Sequence, residues 1–93
     1  MKIGHHDVRI EFKGLSDDRG QSDWGDGVIY IDQGLVESAS RHTIAHEILE
    51  HINECTDGFV LGDEGASKEQ RTSILAEYLV PLLDWDTILK EDV

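Results

Sequence analysis

Among its 93 residues the chain has one cysteine and one proline, eight basic side chains against twenty acidic ones, and no extended apolar run. Cys55 alone cannot close an internal disulfide, so a disulfide scaffold is excluded and a reducing compartment is expected. It follows a His-rich segment closely enough to be considered as a metal ligand, though a small buried residue is the simpler reading. The formal net charge of −12 argues against direct binding of nucleic acid and against adsorption to an anionic membrane. It permits a basic protein partner, or mimicry of nucleic acid, and is most simply a solvated surface. No stretch has the length a bilayer span needs, and Met1–His6 has no apolar segment of signal-peptide size. A cytoplasmic protein with no membrane role is therefore expected. The length points to one domain, residues 1–93, near the size at which a single core is marginal. A bound metal would add to the stability of such a chain.

What is present reads as one α+β unit, without repeats or linkers. Asp7-Val8-Arg9-Ile10-Glu11-Phe12 alternates with period two, which predicts a strand with Val8, Ile10 and Phe12 inward, preceded by His5 and His6 at a flexible terminus. Lys13–Gly27, punctuated by Gly14, Gly20, Gly25 and Gly27, reads as a long loop. Its one large apolar residue, Trp24, would either fold the loop onto the body or lie beside a cleft. Val28–Asp32, β-branched and aromatic, is the second strand. Ser38 and Ser40 are candidate N-caps for a helix whose core stripe is Ile44, Ile48, Leu49 and Ile52. Asn53–Gly58 ends that helix, Phe59-Val60-Leu61 is a short apolar strand or anchor, and Gly62–Gly65 is a turn. A second helix is expected from about Ser67, its N-cap, to Leu79, burying Ile74, Leu75, Tyr78 and Leu79, with Pro81 stopping or kinking it. Residues 84–91 are expected to form a further short helix, with Trp85 and Ile88 or Leu89 packing back.

The chemistry concentrates in Arg41–Ile52, which holds His42, His46 and His51 together with Glu47 and Glu50. On a helix His46 and Glu50 (i, i+4) point nearly the same way, and Glu47 lies about 100° round from His46. A His followed by Glu, with a second ligand four residues after the His, is the spacing of a helix-borne zinc site in which the Glu acts on the metal-bound water. The usual His-Glu-x-x-His here reads His46-Glu47-x-x-Glu50. Glu50 is an acceptable carboxylate ligand. His51 could reach the same ion only if the helix held an extra residue, as in a π-bulge. His42, His46 and Glu50 lie on one stripe, but successive i+4 steps rise about 6 Å, so at most two neighbours share an ion. An amphipathic surface helix with ion pairs such as Glu47–His51, and no metal at all, is the plain alternative.

Arg41-His42-Thr43-Ile44-Ala45-His46-Glu47 resembles the Arg-x-Thr-x-Ala-His-Glu lead-in to the active helix of ImmA/IrrE-type metallopeptidases. Val28–Asp32 is similar to the edge strand before that helix, and Ala76-Glu77-Tyr78-Leu79-Val80-Pro81 to the Ala-Glu-Leu-Leu-Met-Pro ending of the family's next helix. Small phage zincin-like proteins are also similar, including at Lys2-Ile3-Gly4. The resemblance covers about residues 28–81. It implies a minimal zincin: a short sheet packed on an active-site helix, with a second helix giving the third zinc ligand. It further implies a role in cleaving or regulating DNA-binding repressors of phage or mobile elements. The chain departs from the family pattern at Glu50, and at Gln70, where the acidic third ligand should fall; Glu69 is its neighbour and Glu77 a further candidate.

The expectation is thus a zinc metallopeptidase-like protein acting on a protein or peptide. Its metal would be held by His46, by Glu50 or His51, and by Glu69 or Glu77, with Glu47 as catalytic base. The alternative from another class is a non-catalytic acidic interaction or inhibitor protein that uses the same scaffold to bind a basic host protein. The sequence carries no reading of substrate identity or oligomeric state.

Overall fold

A computed structural model of the chain describes residues 1–23, 25–58, 61–62 and 65–90. Trp24 and the Phe59-Val60 part of the expected apolar run lie outside the described residues, as do Asp63 and Glu64 of the expected turn. The described chain is α+β, with strands β1 (Lys2–Ile3), β2 (His6–Asp7), β3 (Arg9–Lys13), β4 (Gly20–Asp23) and β5 (Val28–Asp32). Helices α1 (Glu37–Cys55) and α2 (Ala66–Leu79) follow, then a 3-10 turn at Val80–Leu82 and α3 (Trp85–Lys90). Among the described residues no helix is long and apolar enough to cross a membrane.

β5 is where the sequence is most apolar, and it takes the centre of a three-stranded sheet ordered β3-β5-β4. β3 runs parallel to it, with Ile10 opposite Ile29 and Phe12 opposite Ile31, while β4 runs antiparallel at the other edge. Ile10, Ile29 and Ile31 meet Ile44 and Ile48 of α1, joined by Ile3, Val8 and Ile88, and this single layer of contact is the core. Burial at roughly 25 cal/mol per Å² of apolar surface makes it the main stabilising term. Phe12, expected inside, is 46% exposed because it lies near the end of the edge strand β3, beyond this core.

The amino terminus is an ordered hairpin, in contrast to the flexible segment expected. β1 pairs antiparallel with β2, the Met1 ammonium donates to the Val8 carbonyl at 2.8 Å, and Ile3 is buried. The stretch 13–27 is likewise more than a loop, since its polar Gly-Gln-Ser-Asp segment is β4. That strand is held by backbone pairing to β5, which period-two reasoning on side chains does not detect. Gly27 brings the chain past β2. Its φ is +66°, and a Cβ there would lie 2.5 Å from the Asp7 carbonyl oxygen. Gly27→Ala is expected to destabilise the fold by at least about 2 kcal/mol, from the left-handed backbone and the clash together. Gly4, at φ +61° with open space around it, should cost only about 1 kcal/mol on substitution by Ala. Urea melts of the two variants check this, and equal midpoints would contradict it.

α1 begins at Glu37 without a side-chain cap, so neither Ser38 nor Ser40 has the capping role expected of it. Its first turn holds the favourable acidic Glu37, which Arg41 meets at 2.7 Å. Ile44 and Ile48 of its apolar stripe are buried, with Leu49 and Ile52 partly so. Cys55 at its end is exposed, not buried. The turn after α1 is fastened by Asn53, whose Oδ1 accepts from the Leu61 amide at 2.7 Å and whose Nδ2 donates to the Gly62 carbonyl at 3.0 Å. The Arg71 guanidinium donates to the Leu61 carbonyl and ties α2 to the same point.

α2 differs most from expectation. Its N-cap is Gly65 rather than Ser67, and it buries Lys68, Thr72 and Ala76. Ile74, Leu75 and Tyr78 are instead exposed at 59%, 43% and 72%. The buried stripe is displaced by about two residues, or roughly 200° of rotation. Small residues at positions 72 and 76 let α2 lie close against α1, whereas the bulky stripe would hold the helices apart. α3 closes the domain as expected, with Ile88 buried, Trp85 and Leu89 packed on the core, and Trp85 Nε1 donating to the Val80 carbonyl at 2.8 Å.

Candidate metal centre

Where α1 and α2 cross, His46, Glu50 and Glu69 each offer one ligand atom, and those atoms lie within 4.8 Å of one another. The helical i+4 spacing puts Glu50 on the His46 face of α1, with Oε1 3.7 Å from Nδ1. Glu69, in the first turn of α2, reaches across with Oε2 3.5 Å from Nε2 of the same ring. This is the only such group among the described residues. One imidazole and two carboxylates fit a divalent ion: zinc accepts both donor types, and carboxylate oxygens also suit harder cations. Two bonds of about 2.1 Å span at most about 4.2 Å, so one ion would draw these side chains closer than the 4.8 Å spread.

Glu47 lies against the neighbouring sheet edge. It is 8% exposed, and its Oε2 accepts a hydrogen bond from Ser22 Oγ of β4 at 2.6 Å. Gly20 makes the room for it, since a Cβ at that position would lie 2.8 Å from Thr43 Cγ2 and 3.1 Å from Glu47 Oε1. Glu47, His46, His42, Arg19, Gly20 and Ser73 line one cleft of about 250 Å³. Beside it the buried Lys68 places its ammonium 3.8 Å from Glu50 Oε1. Burial raises the pKa of the Glu50 carboxyl, and repulsion from Glu47 adds to this, while His46 and Lys68 pull the other way.

Two of the residues considered from sequence lie elsewhere. α1 is α-helical throughout Glu37–Cys55, so no inserted residue turns His51 toward His46. His51 instead packs its ring on His6, edge to face with centroids 5.8 Å apart. Glu77 stands one turn along the seam, exposed, with Oε2 3.9 Å from His42 Nε2. Gln70 is exposed next to Glu69. The residues that sequence reasoning missed are Ser22, Gly20, Arg19 and Lys68. The first three stand in the segment read as a loop, and Lys68 reads as one more surface lysine.

Burial first, and His6 second, hold the His51 imidazole below its ordinary value of 6.5. The folded state then takes up a proton at lower pH than the unfolded state does. This contribution to stability is full above about pH 6.5 and is lost as pH falls from there through the lower folded value. In chelator-treated protein, His51→Gln should flatten the decline of urea stability between about pH 7 and pH 5. Parallel profiles for the variant and the parent protein would refute that assignment.

Comparison with protein-family models, with curated proteins and with solved structures gives no match to this chain.

Proposed function

We propose that the protein is a small zinc-dependent peptidase of the minimal zincin type, acting on a protein or peptide, in keeping with the ImmA/IrrE-type resemblance of residues 28–81. The observation that carries this reading is the convergence of His46, Glu50 and Glu69, with His46 sharing a cleft with a Glu47 that accepts from Ser22. When bound, zinc supplies Lewis-acid polarisation of a carbonyl and acidifies water. His46, Glu50 and Glu69 would hold it. Glu47 would take the proton of the attacking water on Oε1, since Oε2 is engaged by Ser22, and would deliver it to the leaving amine. Arg19, exposed, and His42, half-buried, line the cleft and would donate to the substrate carbonyl.

The test is elemental analysis of untagged protein, with hydrolysis of an unfolded protein substrate followed alongside. About one zinc per chain is expected, lost in His46→Ala and reduced in Glu50→Ala and Glu69→Ala, with activity lost in step. Absence of zinc from the folded, zinc-supplemented protein would overturn the reading.

A second reading, a non-catalytic acidic interaction protein on the same scaffold, is favoured by the Lys68 ammonium beside Glu50. That cation neutralises one of the carboxylates a metal would need. Binding of a basic partner by such a protein would weaken steeply with salt.

A further inference from the structure

Outside the metal group, the least expected feature of the surface is the apolar face of α2. Ile74 and Tyr78 stand one turn apart, and Leu82 follows in the 3-10 turn, at 59%, 72% and 78% exposure. Large apolar side chains at i, i+4 and i+8 are the spacing with which a helix engages a partner, and contiguous exposed apolar area on a small domain marks such surfaces. The face is continuous with the candidate centre. Ile74 shares one hollow with Glu69 and Ser73, and another with Tyr78, His42 and Glu77. His42 and Ser73 in turn line the cleft that holds His46 and Glu47. Beyond His42 the seam widens into a hollow of about 620 Å³ lined by Val36, Arg41, Val80 and Glu77.

The charge around this surface chooses its occupant. Glu37, Glu69 and Glu77 border it; Arg41 there is paired with Glu37 at 2.7 Å, Arg71 of α2 donates to the Leu61 carbonyl, and Arg19 stands at the cleft end. The chain carries −12 overall, so two copies brought face to face would repel one another. A cationic segment with large apolar residues on one side matches both features, its apolar side on Ile74, Tyr78 and Leu82 and its Lys or Arg residues against the acidic border.

We infer that the α1–α2 seam and the exposed face of α2 dock a basic, amphipathic segment of a partner protein and lead it to the His46/Glu47 cleft. That the docked segment is cut there rests on the peptidase reading. The docking itself does not, and it is measured without metal or turnover.

The probe is a synthetic Leu/Lys amphipathic peptide of about 15 residues, with its Leu/Glu counterpart as control. Both are titrated calorimetrically into chelator-treated Glu47→Gln protein, so that a failure of the metal chemistry leaves the result unaffected. The Leu/Lys peptide is expected to bind and the Leu/Glu peptide not. The double variant Ile74→Ser/Tyr78→Ser should weaken binding at least about tenfold, the loss of roughly 1.4 kcal/mol. Glu11→Gln/Asp26→Asn, which removes charge from exposed positions that line none of these hollows, should change it less than about twofold. Equal weakening by the two double variants would mean diffuse charge attraction and would overturn the proposal. So would equal binding of the two peptides, no binding of either, or dimerisation of the parent protein that the Ile74→Ser/Tyr78→Ser change abolishes.

Discussion

Adding zinc to chelator-treated protein, at about a hundred times its dissociation constant, is expected to raise Tm by roughly 10–20 °C. The figure follows from mass action. Such an excess contributes about 2.7 kcal/mol to the folded state, and 1 kcal/mol moves the Tm of a domain this small by about 4–8 °C. The metal-free site is the reason the effect should be easy to see. Glu50 is half-buried near Glu47 and Glu69, and desolvation followed by Glu47 raises its pKa, so a divalent ion would relieve an unfavourable charge in the folded chain. His46→Ala should abolish the response, because it removes the group's one nitrogen ligand. Glu50→Gln should reduce it while leaving the metal-free protein as stable as the parent or more so, because the raised carboxyl pKa is an unfavourable contribution above about pH 4.5. Differential scanning calorimetry reads all three. A parent protein whose Tm is indifferent to zinc would contradict the site.

Glu47→Gln is expected to lower kcat/KM for peptide hydrolysis by about 10²–10⁴-fold, the range for loss of a general base, while the zinc content stays at the parent level. Glutamine keeps the shape of the side chain and can still accept from Ser22, but it cannot take a proton from water at neutral pH. Ser22→Ala should fall between the two, at roughly tenfold, because it frees the Glu47 carboxylate to rotate without removing the base. The graded pair separates a base held in position from a carboxylate that only stabilises the fold. Glu47→Gln protein that binds zinc and retains full activity would show that Glu47 is not the base. A fall in zinc content equal to the fall in activity would assign it to the ligand set instead.

Legibility from the sequence followed the range of the interactions involved. Val28–Asp32, α1 and α3 were readable because their signals are local: a β-branched run, i+4 periodicity, and Trp85 with Ile88 at helical spacing. The adjacency of His46, Glu47 and Glu50 needed only the geometry of one helix. Of the third-ligand candidates Glu69 meets His46, whereas Glu77 lies farther along the seam against His42 and Gln70 lies about 100° round the helix from Glu69. The buried side of α2 is not the one its largest apolar residues predict. Thr72 and Ala76 occupy it because helix contact rewards close approach as well as apolar area.

The sequence by itself therefore determined β3, β5 and the presence of three helices, the acidic surface and the His-Glu pair with its i+4 carboxylate, all of which depend on residues within a turn or two of one another. The tertiary structure decided which of Glu50, Glu69, Glu77 and His51 meet, that Gly20 and Ser22 shape the seat of Glu47, and that Lys68 is buried beside Glu50. It also decided that Ile74, Tyr78 and Leu82 face outward. These outcomes join residues some 15 to 25 positions apart, or turn on which side of α2 meets α1. They are fixed by packing between elements, which no periodicity within a single element encodes.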